Sequence, residues 1–583
     1  MMQTKRSLAK RFLVACFPVM LCAPMAHAEP DLPYSLSGDL LGGIVSMQRN
    51  NIADADIALS AAIQHGLKEP AFIAMAMRYA AMDSGPEAAA RAAQLAALLP
   101  KENLAKLILG NAALHDRQWQ KAVGYYTPSP VSGGFLNIAG PSLRAWSLYG
   151  AGQGHLALGR LQAETRHDIM GSLNALQAAR IAAALNDGRA SSLFAQARAH
   201  LELTPPILRV MITYEHANWL ARQGKRAEAE RELHSLGDAL PAFQLVSSRL
   251  RLSPKATPLT PQQGAASFYV GLSALLGEVP VHDATDDSQA KEMRQFNILM
   301  LRQALWLQPD LTLAKILLGE ELRTDKQLDA AQAVLEGVSA DDPLAPLSDH
   351  TQAQIALQRH DLQAALRALQ RVAVADPNNP DVLNELAVTQ DQLGQSDAAV
   401  ATFTRAISHI SVMQARVWPL LLGRAIAYDH LHQRDKAQAD LDRALALAPR
   451  EPMLLNYAGY SAVEHDEQPK RALELLKRAV EVAPDDPEIR DSYAWALLKQ
   501  QGDLQGALPL LLSSANAAPS DPEIAYHLGV AYWYEGRQLE ARDQWNQALN
   551  DKPEPETRTL IEAALAHGPD LAIMRGHPIP ASK

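Results

Sequence analysis

The chain has 583 residues, of which 48% are hydrophobic and only 5% aromatic, and its formal net charge is −10. This length exceeds that of one compact domain, and the abundance of alanine and leucine favours helix throughout. The negative charge disfavours binding to nucleic acid and to anionic lipid headgroups, so we expect neither as a partner.

Residues 1–28 have the composition of an export signal. Four cations between residues 5 and 11 precede an apolar run from Phe12 to Met25, and Ala26 and Ala28 supply small residues at the two positions that a signal peptidase reads. We therefore predict cleavage after Ala28 and export to the periplasm. Removal of the four cations would leave a mature chain with a formal charge of −14.

Two other interpretations of this segment stay open. A transmembrane anchor is disfavoured because two prolines interrupt a run already shorter than the roughly 20 residues that a span requires. Lipidation is disfavoured because Leu13–Cys16 has the residue types of a lipoprotein cleavage box but only four apolar residues follow Arg11 before the cut. Membrane association is thus expected only through such a lipid or through a partner. Both cysteines, Cys16 and Cys22, lie here, so the mature chain has no disulfide framework.

Residues 29–251 are predicted to form a first helical solenoid. Three helix-turn-helix units extend from Ser37 to about Pro130, and the glycines and prolines of Thr127 to Ser142 predict a long loop. Helical patterning continues with a weak repeat from Leu143 to Leu203. The repeat sharpens again between Pro206 and Pro241.

A proline-rich segment at residues 252–263 is the best candidate for a linker, and it divides the chain into two solenoids. Residues 264–567 are predicted to form the second one, interrupted by an acidic insertion at 279–289. A helix at 557–567 would cap its last repeat, whose apolar side would otherwise face water. The tail at 568–583 contains three prolines, has little to bury and is predicted to be disordered.

The repeat is clearest in the second solenoid. Prolines recur there at intervals of 34 or 35 residues, with one double interval: Pro309, Pro343, Pro377, Pro449, Pro484, Pro519 and Pro553. Between them, one small residue returns on each of two successive helices, seven times in register: Gly319 and Ala331, Ala353 and Ala365, Ala387 and Ala399, Ala425 and Ala437, Gly459 and Ala472, Ala494 and Ala507, Gly529 and Ala541. Small residues let paired helices approach closely. The pattern resembles the tetratricopeptide repeat, whose period is 34 residues, and implies an all-α superhelical solenoid.

Motifs of catalysis are missing from the sequence. We find no HExxH zinc helix, no GxSxG elbow, no phosphate-binding loop and no paired CxxC. His430 and His432 are interpreted as turn residues, and His216 and His527 as packing residues, rather than as metal ligands. We therefore predict a protein that is not an enzyme and that carries no cofactor or metal.

A binding surface is the remaining functional feature. In such solenoids the first helix of each repeat lines the concave side, and repeat positions 5, 9 and 12 point into it. We predict a protein-binding groove formed by Asn384, Asn456, Tyr460, Asp491, Trp495, Tyr526 and Trp533. Aromatic rings and Asn or Asp side chains together suit a bound peptide. Whether Trp495 and Trp533 belong to the groove or to the core between repeats stays open at this point.

The carboxyl-terminal third carries a more specific resemblance. The segments LNYAGYSAVEH from Leu455, PDDPEIRDSYAWALLKQQGD from Pro484 and PSDPEIAYHLGVAYWYEGRQLEARDQW from Pro519 are similar to exported tetratricopeptide-repeat proteins of proteobacteria. That group includes outer-membrane lipoprotein adaptors that present peptidoglycan hydrolases to a carboxyl-terminal-processing protease. The chain departs from those adaptors at its amino terminus, where the lipid-accepting cysteine is doubtful, so membrane tethering does not carry over.

Two functions follow as expectations. The resemblance implies a periplasmic scaffold or adaptor that holds protein clients, such as cell-wall hydrolases destined for a protease, in its concave groove. The alternative is an assembly component for envelope polysaccharide export that couples a synthase to an outer-membrane pore.

Overall fold

A computed structural model describes most of the chain. The described residues are 35–571 apart from 86, 128–134, 164–168, 240–244, 247–248, 254–256, 278–286, 411–414 and 466. The predicted export signal at 1–28 lies outside them. The described residues form helices and turns with no strand, which confirms the predicted all-α fold. None of their helices is both long enough and apolar enough to cross a membrane.

Contacts divide the chain between Asp376 and Pro377 into two units, which are described separately. The helices of the first unit are α1 (Leu36–Gln48), α2 (Ile52–Gln64), α3 (Pro70–Met82), α4 (Ala88–Leu98), α5 (Asn103–His115), α6 (Trp119–Tyr125), α7 (Phe135–Gly150), α8 (Gly154–Ala163), α9 (Ile169–Ala184), α10 (Ala190–Ala197), α11 (Pro206–Arg222), α12 (Arg226–Ala239), α13 (Pro261–Gly277), α14 (Asp287–Leu307), α15 (Thr312–Thr324), α16 (Leu328–Glu336), α17 (Ala345–Gln358) and α18 (Leu362–Ala375). Helices α1 to α12 form six pairs, and each pair packs against the next.

The pair α13 and α14 does not extend this row of pairs. Helix α13 packs across α5, α7, α9 and α11, and α14 packs against α3 and α5, so the pair covers the face made by the first helices of the earlier repeats. Two glycines on one face of α13 allow this approach. A Cβ at Gly264 would overlap the indole of Trp146, and a Cβ at Gly271 would lie 2.6 Å from Leu173 Cδ1.

Buried polar bonds fix the position of this covering pair. Asn111 on α5 is fully buried, and its Oδ1 accepts hydrogen bonds from the hydroxyls of Tyr126 and Tyr269. Its Nδ2 donates to Gln303 Oε1 on α14 at 2.9 Å. The first unit is therefore a solenoid whose inner face is filled by its own chain.

The domain boundary differs from the one that the sequence suggested. Helix α13 begins at Pro261, inside the expected linker at 252–263, and besides its pair partner α14 it packs on four helices that all precede that linker. The contacts place the division at Asp376 instead. The expected loop at Thr127 to Ser142 is also too long, because α7 begins at Phe135 and includes Gly140 and Pro141.

The second unit is a shorter solenoid. Its helices are α19 (Pro380–Gln392), α20 (Ser396–Ser408), α21 (Trp418–His430), α22 (Arg434–Leu447), α23 (Pro452–Glu464), α24 (Pro469–Val482), α25 (Pro487–Ala496), α26 (Leu504–Ala517), α27 (Pro522–Glu535), α28 (Gln538–Asn550) and α29 (Pro555–His567). Each pair packs against the next, and α29 packs on α27 and α28 as the predicted cap.

The predicted small positions are where the paired helices meet. All eleven alanines of the seven repeats are completely buried. The clearest glycine is Gly529 on α27, since a Cβ there would lie 2.7 Å from Trp545 Cδ1 on α28. The register predicted from the sequence is therefore confirmed.

Candidate functional site

The candidate site is the face formed by the first helices of the second unit, α19, α21, α23, α25 and α27, which we call the first-helix face. Three of these helices begin in the same way. The side chains of Asn379, Asp486 and Asp521 each accept hydrogen bonds from two backbone amides of the first turn, and a proline follows each of them. Such capping, with proline at the first helical position, fixes where a helix begins and hence which residues its face presents.

The structure places the seven predicted groove residues on four of these helices. Asn384 lies on α19, Asn456 and Tyr460 on α23, Asp491 and Trp495 on α25, and Tyr526 and Trp533 on α27. Five of them are buried, whereas Asn384 and Trp533 are partly exposed. Asn384 is separated from α23 by the pair α21 and α22, so it does not join the cluster formed by the others.

Trp495 is a residue of the core between repeats. Its side chain is 5% exposed, and its ring stacks on His527 of α27 with centroids 4.1 Å apart. Its Nε1 donates to Glu464 Oε1 on α23 at 3.3 Å. Trp495 thus joins α23, α25 and α27, and of the two alternatives that the sequence left open for this ring the structure shows the core between repeats.

Beside this ring lies a buried pair of ionisable groups. His527 Nδ1 is 2.8 Å from Asp491 Oδ2, and both side chains are buried. Burial raises the pKa of the Asp491 carboxyl. Burial lowers the pKa of His527, but the neighbouring Asp491 outweighs that effect, and the pKa of the imidazole is raised from its ordinary value. The pair is therefore held together by charge as well as by geometry.

Further polar bonds connect the first helices of different repeats. Tyr460 donates to Glu523 Oε1 at 2.8 Å and so links α23 directly to α27. Lys499 Nζ donates to Glu464 Oε1 at 2.8 Å, and Tyr457 donates to Asp429 Oδ2 at 3.0 Å. The polar side chains of the first-helix face therefore form a layer connected by hydrogen bonds from one repeat to another, rather than a row of independent side chains.

The sequence analysis missed most of the partners in this layer. A periodic signal was present, because Asp429, Glu464 and Lys499 follow one another at intervals of 35 residues, at or just beyond the ends of successive first helices. His430 was interpreted as a turn residue. It is instead buried, with Nδ1 2.9 Å from Asp391 Oδ2. Among the described residues no group of three or more His, Cys, Asp or Glu side chains is arranged to hold a metal ion.

Two buried side-chain oxygens on the helices of the first-helix face lack a hydrogen-bond partner among the described residues. They are Asn456 Oδ1 and Asp491 Oδ1. The two residues are 35 positions apart and occupy the same place in consecutive repeats. An unsatisfied buried acceptor costs about 1–3 kcal/mol, so each of these two oxygens requires a donor from outside the described side chains.

Comparison with known families agrees with the geometry. One tetratricopeptide-repeat model matches residues 356–410, and a second matches residues 466–522 and 498–554. The chain carries tetratricopeptide repeats. Proteins built on this repeat are typically scaffolds without catalytic activity that bind other proteins. No match was found among the curated protein sequences.

Several solved structures of tetratricopeptide-repeat proteins are similar to parts of the chain. YrrB, described as a TPR protein with an unusual peptide-binding site, is 22% identical over 33% of this chain and 97% of its own, with a TM-score of 0.26. PilW, a widely conserved type IV pilus biogenesis factor, is 18% identical over 36% of this chain and 94% of its own, with a TM-score of 0.32. A repeat protein from Parabacteroides merdae is 17% identical over 38% of this chain and 85% of its own, with a TM-score of 0.31.

Proposed function

We propose that the protein is a non-enzymatic scaffold that binds a segment of a partner protein at the first-helix face of its second unit. The observation that carries this proposal is the pair of unpartnered acceptors, Asn456 Oδ1 and Asp491 Oδ1. Backbone amides of a bound segment, or a basic side chain, are donors of the kind that these oxygens require. Equivalent positions in consecutive repeats suit a ligand that runs along the solenoid.

The burial of these acceptors determines how binding proceeds. Both side chains are 4% exposed, so a ligand that reaches them must first open the face locally. Such opening disturbs Trp495, which lies on the same helix as Asp491 and stacks on His527. We therefore expect binding to be accompanied by a change in tryptophan fluorescence and to be slower than docking onto a rigid surface.

The cellular setting is a proposal with two supports. The composition of residues 1–28 supports export to the periplasm, and the similarity of the segments that start at Leu455, Pro484 and Pro519 to exported repeat proteins supports an adaptor role. In its most specific form, the scaffold presents clients such as cell-wall hydrolases to a carboxyl-terminal-processing protease.

The test compares three forms of the chain from residue 29 to residue 583. The first is unchanged, the second carries Asn456→Leu and Asp491→Asn, and the third carries Asp485→Asn, the same change of charge at an exposed residue before α25. Each form is immobilised and exposed to an envelope extract, and a protein that it retains is then purified. The binding of that protein to each form is measured by titration. We expect the double variant to bind it about thirtyfold more weakly, since about 2 kcal/mol is lost when Asn456→Leu removes one hydrogen bond and Asp491→Asn replaces a charged acceptor by a neutral one, whereas the control binds normally.

The outcomes separate the proposals. Retention of a protease together with wall hydrolases supports the adaptor role, and retention of a pore or a synthase would replace it by polysaccharide export. Equal binding by the double variant and the control, with unchanged circular dichroism, would show that the first-helix face does not hold the partner.

A further inference from the structure

A short segment after the last helix returns to the end of α27. The hydroxyl of Tyr534 donates to the carbonyl oxygen of Pro569 at 2.8 Å and accepts from the backbone amide of Leu571 at 3.0 Å. One side chain thus holds the backbone of this segment at two points. The predicted disorder of 568–583 is therefore wrong for residues 568–571, and residues 572–583 lie outside the described part of the chain.

Two further contacts hold the segment of residues 568–571 in place. Gly568 has a φ of +79°, and a Cβ there would lie 2.7 Å from Cζ2 of Trp533, so both the backbone angle and the ring require glycine. At the other end of the segment, Leu571 is 8% exposed and belongs to the apolar core of the second unit. A glycine against an aromatic ring, a doubly hydrogen-bonded backbone and a buried leucine are contacts by which peptide-binding sites recognise extended segments.

One of the residues that contact this segment was already among the predicted groove residues. Trp533 was predicted from the sequence to contact a partner, and it is one of the two predicted groove residues that stay partly exposed. We propose that Trp533 and Tyr534 form a peptide-binding site that the chain's own Gly568-Pro569-Asp570-Leu571 fills. A partner with a Gly-Pro-x-apolar segment competes for it.

This proposal relies on the proposed function only for the existence of a partner, and the site itself is tested without one. A segment joined to its site by a short connection has an effective concentration of roughly millimolar. A free peptide of the same sequence must therefore reach about that concentration to displace it. Only a partner that adds contacts elsewhere, for example along the first-helix face, displaces it at micromolar concentration.

The test uses the full chain and a fluorescein-labelled peptide, HGPDLAI, which copies residues 567–573. Leu571→Asp in the chain should release the segment, because a carboxylate is not tolerated in the apolar core. Fluorescence anisotropy should then show the peptide binding to this variant at least tenfold more tightly than to the unchanged chain. Adding Tyr534→Phe, which removes only the hydroxyl, should abolish that gain. A peptide with alanine in place of the glycine should not bind.

Two results would overturn the proposal. One is equal binding of the peptide to the unchanged and Leu571→Asp chains. The other is a Leu571→Asp chain of lower melting temperature that the peptide neither binds nor restabilises, because the segment would then be only a structural cap.

A measurement without any variant guards against misfolding. Millimolar unlabelled peptide should speed hydrogen exchange of the Leu571 amide in the unchanged chain, and an unaltered rate would also contradict the proposal.

None of these results depends on Asn456 or Asp491. Failure of this experiment would therefore leave the first-helix face untested, and failure of the titration with those two residues would leave the Tyr534 site standing.

Discussion

Replacement of Gly529 by alanine tests the packing of the repeats with a single methyl group. Gly529 on α27 faces Trp545 on α28, and the added Cβ would lie 2.7 Å from the Cδ1 atom of that ring. Trp545 cannot easily move away, because it is completely buried and its Nε1 donates to the carbonyl oxygen of Tyr526 at 3.2 Å. Overpacking of this kind costs about 1–3 kcal/mol.

The expected loss is about 2 kcal/mol. The upper end of the overpacking range applies, because the contact is with a fixed ring rather than with the end of a flexible chain, and alanine returns up to about 1 kcal/mol through its better helix propensity. Urea unfolding followed by circular dichroism measures this difference. Gly159→Ala on α8 is the matched control, since no atom lies within 4 Å of a Cβ at that position, and it should be neutral or stabilising.

A double-mutant cycle then identifies the cause. Trp545→Leu removes the whole indole ring, including the Nε1 and Cδ1 atoms that a Cβ at position 529 would meet, so Gly529→Ala should cost at least 1 kcal/mol less in that background. The reasoning is refuted if Gly529→Ala behaves like Gly159→Ala, or if its cost is the same with leucine at 545.

Two other predictions concern buried polar groups. His527→Gln should lower stability mainly at acidic pH. The folded-state pKa of His527 is raised by Asp491, so the contribution of the pair is fully present below about 6.5, the ordinary histidine value, and is lost as the pH rises through the raised folded-state value. Melting temperatures of both forms between pH 5 and pH 9 should converge with increasing pH, and a constant difference would contradict this assignment. In the first unit, Asn111→Ala leaves the buried hydroxyls of Tyr126 and Tyr269 without their acceptor, and it should lower the free energy of unfolding by about 2–4 kcal/mol in urea. A loss below about 0.5 kcal/mol would show that these hydrogen bonds do not hold α13 in place.

The repeats of the second unit could be predicted from the sequence, because its periodic small residues reflect contacts between helices that are neighbours along the chain. A small residue such as Gly529 or Ala541 is required wherever two neighbouring helices touch, and that requirement recurs every 34 or 35 residues apart from one interval of 38 that ends at Ala425. Helix ends were similarly predictable from prolines and capping residues such as Asp521. These signals depend on neighbours in sequence, and a single chain displays them directly.

The first unit was harder to predict because its decisive contacts are distant in sequence. Helix α13 packs on helices that begin up to about 160 residues earlier, and the glycines that permit this, Gly264 and Gly271, look like any helix-weakening glycines beside a proline-rich segment. The prolines at 254, 258 and 261 therefore suggested a linker between domains. The structure shows that the last of them is the first residue of a buried helix.

The sequence placed the predicted groove residues on the correct helices but did not predict the environment of their side chains. The spacing rule identified Asn456, Asp491 and Trp533 correctly as residues of first helices, since it depends only on helical geometry. It could not show that Trp495 is covered, because the burial of a concave position depends on how tightly the solenoid curves. The bond from Tyr460 to Glu523, two repeats away, is the direct sign of that tight curvature.

The proposed function implies that binding and stability oppose each other on the first-helix face. Each unpartnered acceptor raises the free energy of the unbound fold, and a partner that donates a hydrogen bond recovers that cost only when it is bound. Asn456→Leu removes one such acceptor while keeping a similar volume. The variants used to test binding should therefore separate the two properties, because the leucine that weakens the complex should raise the free energy of unfolding of the unbound chain. Under the proposed function, the two acceptors at equivalent positions lower stability for the sake of recognition, which is the usual direction of that trade at functional sites.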